Sequence, residues 1–503
     1  MITKTKFRFN IIALTLIVIS TTIFHFGCKK NELDLMPFRP TEADYFKTEL
    51  DFSRAVYGTY GKMASLYTGA PNSGASMPIF LLMGDDITTN DGSFGAYDGF
   101  DQMNASDGKV AGLWSTCYAI IGRANVILEK IEGPDGSIYK TPNLKETHKG
   151  EALFLRGLGY YYLWSYFETA PLRNSRITST ADFFPANSTS TQLIDQALED
   201  FKMAADLLPA SWPTSDKGRA TKNSANGFEG KLLVSKASFY KNVADYTTAL
   251  TYFNKITSVS LTPNFADNFA YDTENNSESL FEYQSSQPLG GENVWVNPDE
   301  FTDIGAMSTY WGFYSPSATW MPRFLVTSKL ATAFNPADPR RNHTLDSSNS
   351  YVKKYILRDR IASEGSVNNY RLLRFADIKL LRAEALIQSG GSTTEALQLI
   401  EDVRARARNM VPGGTAPVNL GLTETNRTTI MNFIIAERFL EFAGEGLRWL
   451  DLVRWQKQGI LTLNNAFFSS NNAVSFKERN LLLPIPTSEL DVNKNMQQSL
   501  PWR

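Results

Sequence analysis

The stretch Glu437–Trp455 constrains the fold of this chain more than any other stretch. Its apolar residues recur three or four positions apart, which is the spacing of one helix face. Charges of both signs occupy nearly every turn, at a separation that lets them meet on a helix. The pairs are Arg438/Glu441, Glu445/Arg448, Arg448/Asp451 and Asp451/Arg454. We therefore predict a central helix that clamps its neighbours, although Gly444 and Gly446 weaken it.

Two interpretations compete for the carboxylates of this stretch. Glu441 and Glu445 could form a catalytic acid/base pair, or they could belong to a partly buried lattice of ion pairs. An arginine lies within reach of each carboxylate, which favours the ionised form and makes a poor general acid. We therefore favour the lattice.

Composition excludes one class of function and permits a large core. The chain has 503 residues, of which 43% are hydrophobic, enough for one large domain or several. A formal net charge of −2 and a pI near 6.1 show no excess of basic residues of the kind that nucleic-acid-binding proteins carry.

The N-terminus has the pattern of a lipoprotein signal peptide, residues 1–27. Three basic residues precede the apolar run 11–24: Lys4, Lys6 and Arg8. That run is short for a membrane-spanning helix. We predict cleavage before Cys28 and lipid attachment there, so that residues 28–39 form a tether that anchors the protein without spanning the membrane. An ordinary secretory signal or a short anchor is the alternative.

Helical periodicity dominates most of the remaining chain. The predicted helices are 40–67, 110–132, 150–167, 191–208, 224–240, 245–256, 375–388 and 393–408. Short connections join several of them into pairs, and alanine recurs where the pairs would cross. Such pairs are typical of tetratricopeptide-like (TPR-like) packing. The fold class is therefore mainly α.

Three segments lack this periodicity. Residues 83–108 are rich in Gly, Asp and Asn, and we predict a long functional loop there. Residues 262–365 are rich in Gly, Pro, Asn, Ser and aromatic residues, with short β-like runs at 279–284 and 351–357. Residues 459–503 are irregular again.

The residue types that catalysis needs are sparse. After the signal peptide the only histidines are His148 and His343, and neither lies in a recognisable motif. The sequence contains no HExxH, no CxxC and no nucleophile elbow. The loop carboxylates lack a recognisable general-acid environment. We predict no catalytic residue, no cofactor and no metal site.

The irregular segments supply the mixture that binds a sugar. Flat aromatic side chains cover the apolar faces of a pyranose, while carboxylates and amides bind its hydroxyls. The candidate contacts are Asp85, Asp86, Asn90, Trp295, Tyr310, Trp311, Tyr314 and Trp320. Each aromatic residue could instead fill the core of the loop-rich region.

The stretch Glu437–Trp455 also resembles the C-terminal signature of the SusD/RagB family, the outer-membrane nutrient-binding lipoproteins of Bacteroidetes. The matching residues are Glu437, Arg438, Glu441, Glu445, Gly446, Arg448, Asp451, Leu452, Arg454 and Trp455. Further segments are similar to family motifs: 114–131, 150–172, 218–237, 337–344, 370–391, 403–408 and 481–502. The terminal segment departs from the family pattern at Lys494 and Leu500.

This resemblance implies a SusD-like fold. Residues 40–503 would form a single domain, with a TPR-like scaffold at 40–261 and 366–458, a loop-rich insertion at 262–365 and the C-terminal segment 459–503. The early loop and the insertion would line the ligand site.

The resemblance also implies a function without chemistry. The protein would be lipid-anchored in the outer membrane and exposed at the cell surface. There it would capture a glycan and deliver it to a SusC-like TonB-dependent transporter. RagB-like capture of peptides is one alternative. A structural TPR-type adaptor without a small ligand is another.

Overall fold

The computed structural model describes residues 45–67, 76–189, 191–285, 324–355, 361–362, 365–366, 368–472 and 474–503. The chain divides into two compact units, residues 1–51 and 52–503, and the second holds all of the described strands and nearly all of the described helices. Within the described ranges, no helix combines the length and the apolar character that crossing a membrane requires.

The fold is mainly helical, as predicted. The helices are α1 (Glu49–Lys62), α2 (Ala64–Tyr67), α3 (Met77–Leu82), α4 (Gly95–Asp98), α5 (Gly108–Glu132), α6 (Leu144–Phe167), α7 (Gln192–Leu207), α8 (Lys222–Tyr240), α9 (Val243–Phe253), α10 (Ser328–Ala333), α11 (Arg341–Thr344), α12 (Phe375–Gln388), α13 (Thr393–Arg408), α14 (Arg427–Glu441), α15 (Arg448–Gln458) and α16 (Thr487–Val492).

The scaffold is a succession of packed helix pairs. Helix α6 packs between α5 and α7, and the series continues through α8, α9 and α12 to α13. Nearly every side chain of α6 after Lys149 is buried. Close approach requires small residues: a Cβ at Gly159 of α6 would lie 2.8 Å from Cγ1 of Ile121. This succession is the predicted TPR-like arrangement.

The described strands form two-stranded antiparallel sheets. The strands are β1 (Ile87–Thr89), β2 (Ser279–Tyr283), β3 (Phe324–Val326), β4 (Ile361–Ala362), β5 (Gly365–Ser366) and β6 (Tyr370–Arg374). They pair as β1 with β3, β2 with β6 and β4 with β5. The predicted run at 279–284 is confirmed as β2. The run at 351–357 is not a strand over its described part, where Val352 forms a single bridge to Leu345.

The C-terminal signature is two helices rather than the predicted one. Helix α14 ends at Glu441 and α15 begins at Arg448. Gly444 and Gly446 between them adopt φ of +72° and +74°. Such left-handed backbone cannot continue a right-handed helix, and glycine adopts it without steric cost. The prediction was wrong here because helical periodicity does not report the sign of φ.

Two other predicted segments are also more divided than expected. The first helix is split near Met63 into α1 and α2. The 83–108 segment is not one open loop, because it contains β1 and α4, and its residues 83–89 are buried.

Candidate functional site

The pairing of β1 with β3 brings the two predicted ligand loops together. Thr89, the last residue of β1, stands opposite Phe324, the first residue of β3. The segment 286–323, which holds the predicted aromatic contacts, ends directly before Phe324. It therefore joins the described structure beside the loop that begins at Asn90.

A cleft of 540 Å³ opens beside this pair of strands. Its walls come mainly from residues 88–102, with Leu325 of β3 and Asn472 of the C-terminal segment. Most of the residues that line it are of polar type: Thr88, Thr89, Asn90, Asp91, Asp98, Asp101, Gln102 and Asn472. Its volume lies within the range of about 300–1,000 Å³ that is usual for small-molecule sites. We call it the β1–β3 cleft.

Asp98 holds the inner wall of the cleft together. Its carboxylate accepts hydrogen bonds from Thr88 Oγ1 at 2.8 Å and from Asn471 Nδ2 at 2.9 Å. The backbone N–H groups of Thr89 and Asn472 also point at it, at 3.4 Å each. Burial raises the pKa of Asp98 although these donors act to lower it. Asp98 therefore fixes the wall, because its oxygens are already engaged.

The rim of the cleft is formed by shorter-range contacts. Asp91 Oδ1 accepts from the backbone N–H of Ser93 at 2.9 Å and from its hydroxyl at 2.7 Å. Asp101 Oδ1 accepts from the backbone N–H of Gln102 at 3.0 Å. Phe100 and Gln102 have left-handed φ values of 59° and 58°. The resulting turn exposes Asp101 and Gln102 to solvent.

Asp85 is buried and does not line the cleft. Its two oxygens accept hydrogen bonds from Arg448 Nε at 2.6 Å and Nη2 at 3.1 Å, and Lys329 Nζ lies 2.6 Å away. Burial alone would raise its pKa, but the two cations hold the pKa below its ordinary value. Asp85 is thus an ionised structural anchor.

Asp86 is buried as well, in a different environment. Its Oδ2 accepts a 2.9 Å hydrogen bond from the backbone N–H of Gly444, while Oδ1 has no hydrogen-bond partner among the described residues. Burial raises the pKa of Asp86 to about 6. Both aspartates were predicted to contact a ligand; burial removes both from the cleft surface in this structure.

The remaining predicted contacts divide into two groups. Asn90 borders the β1–β3 cleft and is exposed. Residues Cys28, Trp295, Tyr310, Trp311, Tyr314 and Trp320 lie outside the described residues. Sequence reasoning missed Asp101, Gln102 and Asn472 as cleft residues. The first two belong to the predicted Asp-rich loop, whereas Asn472 had no signal because it is distant along the chain.

A buried lattice of ion pairs surrounds Glu441 and Glu445, as predicted. Glu441 is fully buried and bonds Arg340 Nη1 at 2.8 Å and Arg374 Nη1 at 2.7 Å, and it also bonds Arg406. Arg374 continues the lattice to Glu445 through two hydrogen bonds of 2.9 Å. Most of the predicted ion pairs between residues three positions apart are replaced by these ion pairs with residues that are distant along the chain.

The electrostatics of the lattice oppose acid/base chemistry. Burial acts to raise the pKa of Glu441, but Arg406, Arg374 and Arg340 together hold it well below its ordinary value. Lys354, which donates a 2.8 Å hydrogen bond to Glu445, has its pKa lowered by burial to about 8. A carboxylate held ionised by three guanidiniums cannot donate a proton near neutral pH.

Other clefts are present in the described structure. One of 470 Å³ is lined by Trp114 and Tyr118 of α5 together with Phe183 and Phe184. Another of 350 Å³ lies beside Trp212. Neither contains a predicted contact residue, so the β1–β3 cleft is the candidate site.

Comparison with known protein families decides the identity of this architecture. A model described as "SusD family" matches residues 240–502, more than half of the chain, and one described as "Starch-binding associating with outer membrane" matches residues 42–233. The chain belongs to the SusD family. The predicted resemblance is thereby confirmed.

Individual relatives of this SusD-family protein are distant but cover much of its length. "SusD-like protein P2" of Formosa agariphila is 24% identical over 99% of both chains. "Starch-binding protein SusD" of Bacteroides thetaiotaomicron is 24% identical over 75% of this chain and 76% of that protein. The solved structure of surface glycan-binding protein A from Bacteroides thetaiotaomicron in complex with laminarihexaose has a TM-score of 0.71 and 20% identity, and covers 90% of this chain and 99% of that one. This likeness confirms the predicted SusD-like fold.

Proposed function

We propose that this SusD-family protein captures a glycan at the cell surface and delivers it to a SusC-like TonB-dependent transporter. The observation that carries the proposal is the β1–β3 cleft, whose lining residues are mostly of polar type and which lies where the aromatic-rich segment 286–323 joins the described structure. A starch-binding relative and a laminarihexaose-binding protein with the same fold give further support.

The chemistry of the cleft suits a glycan. Its amides and hydroxyls, including those of Asn90, Gln102 and Thr89, can exchange hydrogen bonds with sugar hydroxyls. Aromatic rings that stack on the apolar faces of the sugar would come from the adjoining segment. The predicted rings are Trp295, Tyr310, Trp311, Tyr314 and Trp320. The buried ion pair of Asp85 with Arg448 fixes the backbone two residues before β1, and a preorganised wall reduces the entropic cost of binding.

The N-terminus provides the membrane attachment in this proposal. Residues 1–27 would be removed and Cys28 would carry the lipid, with residues 28–39 as the tether. A lipid anchor holds the protein at the outer membrane surface without a membrane-spanning helix. In this proposal the protein binds its ligand without catalysing a reaction. Glu441 and Glu445, which were weighed as a catalytic acid/base pair, serve as structural ion-pair partners.

The test is binding of the purified full-length protein to a panel of laminarin, amylopectin, xyloglucan and tryptic peptides, measured by calorimetry. We expect at least one glycan to bind. We expect the double variant Asn90→Ala/Gln102→Ala to weaken that binding by about tenfold, which corresponds to about 1.4 kcal/mol. The matched control is Asn409→Ala, an exposed asparagine at the end of α13, and it should bind like the unmodified protein.

Other outcomes would contradict glycan capture. Binding of peptides but of no glycan would favour RagB-like peptide capture. Binding of neither, with retained association with a barrel transporter, would favour a TPR-type adaptor.

A further inference from the structure

The cleft of 350 Å³ beside Trp212 is a separate cavity of the scaffold. Its lining residues lie within 210–223, 258–259 and 275–281, and among the described residues it shares none with the β1–β3 cleft. Its volume falls near the lower end of the range of about 300–1,000 Å³ that is usual for small-molecule sites. The cavity, which we call the Trp212 cleft, therefore suits a small ligand or a short segment of a polymer.

Trp212 gives this cleft an aromatic wall in a fixed orientation. Its indole Nε1 donates a 2.8 Å hydrogen bond to the carbonyl oxygen of Ala220. The Cζ atom of Arg219 lies over one face of the indole, 3.8 Å from the ring centre. Trp212 is nevertheless only half-buried. A ligand in the cleft therefore contacts the other face or the edge of a ring that is already held in place.

The positive charge of Arg219 is compensated within the protein. Its Nε and Nη2 atoms bond the two carboxylate oxygens of Glu151 at 2.8 and 2.6 Å, and its Nη1 bonds Asp216 Oδ1 at 2.7 Å. Lys217, the other basic residue of the lining, is exposed to solvent. Recognition in this cleft therefore does not require an anionic ligand.

Three half-buried asparagines supply amide groups in fixed positions. Asn223 donates to the carbonyl oxygen of Thr257 at 2.7 Å and accepts from its backbone N–H at 3.3 Å. Asn275 exchanges two hydrogen bonds of 2.8 and 3.0 Å with the amide of Gln284, and Asn276 bonds two backbone groups. An asparagine amide has two N–H donors and two acceptor lone pairs. Each of the three therefore retains one donor and one acceptor for a ligand.

The backbone of this cleft is strained at one of its lining residues. Ser258 has a left-handed φ of 60°, and Asn275 has a φ of 53°. Asparagine tolerates this conformation, whereas for serine it is sterically unfavourable. Backbone strain that the surrounding structure maintains is concentrated at sites of ligand binding. The strain at Ser258 thus favours a binding role for the cleft.

We propose that the Trp212 cleft is a second glycan-binding site, which holds a short segment of a sugar chain. The class of ligand rests on the proposed function, glycan capture, whereas the site is additional to the β1–β3 cleft. The fixed indole of Trp212 covers the apolar face of a sugar ring, and the oriented amides exchange hydrogen bonds with its hydroxyls. Because ring and amides are held before the ligand arrives, little entropy is lost when they bind it.

Fluorine NMR of the full-length protein labelled with fluorotryptophan reports on this cleft separately from the β1–β3 cleft. The Trp212 resonance is assigned as the one that disappears in Trp212→Phe. The probes are laminarihexaose, maltohexaose, a xyloglucan heptasaccharide and tryptic peptides. We expect at least one oligosaccharide to shift this resonance in a saturable manner. The shift and its apparent affinity should persist in the Asn90→Ala/Gln102→Ala variant, which alters only the β1–β3 cleft.

A blocking variant shows that the ligand enters the Trp212 cleft. Ser211 is exposed and lines the cleft, so Ser211→Arg places a large side chain in it without removing a buried group. We expect this variant to weaken the binding that the Trp212 resonance reports by at least about tenfold. The matched control is Ser347→Arg, the same substitution at an exposed turn residue that lines none of the described clefts. It should bind like the unmodified protein, and equal weakening by both variants would overturn the assignment.

The other outcomes separate this inference from the proposed function. If calorimetry detects a bound glycan but no oligosaccharide shifts the Trp212 resonance, glycan capture stands and the second site is overturned. Loss of the shift in the Asn90→Ala/Gln102→Ala variant would also overturn it, because the resonance would then report binding in the β1–β3 cleft. A shift caused by peptides alone would overturn the class of ligand. If no glycan binds by either method, both proposals are overturned together.

Discussion

Arg448 donates two hydrogen bonds to the carboxylate of Asp85, one of 2.6 Å from Nε and one of 3.1 Å from Nη2. Arg448 begins α15, and Asp85 lies two residues before the first residue of β1, the strand that borders the cleft. Lys329 of α10 completes the contact from a third segment. A single buried carboxylate therefore ties the C-terminal signature to the candidate binding loop.

Removing this arginine should destabilise the protein strongly. Arg448→Ala leaves the Asp85 charge buried with one partner, and breaking a buried pair in this way costs about 3–5 kcal/mol. The measurement is the free energy of unfolding in urea. Lys494→Ala is the control, because its 3.7 Å ion pair with Asp491 is largely exposed and contributes less than about 1 kcal/mol. Unchanged stability of Arg448→Ala would refute the structural role of the pair.

Asp86 should make stability depend on pH. Its pKa is about 6 in the folded protein against an ordinary 3.8, so the folded state binds the proton more tightly. The stabilisation by this proton is complete below about pH 4 and is lost as the pH rises through 6. A shift of this size corresponds to roughly 3 kcal/mol.

The Asp86→Asn variant isolates this effect from other titrating groups. The difference in unfolding free energy between the unmodified protein and the variant should change by roughly 3 kcal/mol between pH 4 and pH 7.5, in favour of the variant at the higher pH. A difference that stays constant across this range would show that Asp86 keeps an ordinary pKa.

The turn between α14 and α15 should tolerate only glycine at position 446. Gly446 has φ of +74°, and a Cβ there would collide with the hydroxyl of Tyr370, which donates a 3.0 Å hydrogen bond to the Glu445 carbonyl. Gly446→Ala should therefore lower the free energy of unfolding by about 2 kcal/mol or more. Gly122→Ala, at an exposed position of α5 with open space around the new Cβ, should instead raise it by about 0.5–1 kcal/mol. Equal effects of the two substitutions would contradict this account.

Trp311 remains a predicted ligand contact. Trp311→Ala should weaken glycan binding in calorimetry by about tenfold while leaving the melting temperature nearly unchanged. Trp449→Ala serves as the comparison, since Trp449 is buried and its loss should cost about 3–5 kcal/mol of stability. A large fall in the melting temperature of Trp311→Ala would show that this side chain belongs to the core.

Much of the scaffold was predictable from local sequence signals. Helices α12 and α13 have the predicted boundaries, 375–388 and 393–408, because a run containing Gly390 separates two clearly periodic segments. The break at Gly444 and Gly446 was not predictable in the same way, since a helix can contain glycine and only the backbone dihedrals reveal the turn.

The candidate site was less predictable because its supports are distant in sequence. Asp85 and Asp86 lie in a polar, turn-rich segment, which suggests exposure. Their burial depends on Arg448 and Gly444, which are far along the chain. Of the ion pairs predicted within the signature, only Asp451/Arg454 is confirmed, with an N–O distance of 2.8 Å. Ion pairs between segments that are distant along the chain produce no periodic pattern in the sequence, so the sequence does not predict them.

The contacts of the cleft-forming segment also bear on how the protein is made. Asp86, Asp85 and Asp98 bond partners that follow them by 358, 363 and 373 residues. A ribosome must therefore complete most of the chain before these aspartates can meet Gly444, Arg448 and Asn471. A nascent chain that terminates before residue 444 lacks all three partners, so a late truncation removes the support of a surface encoded near the beginning of the gene.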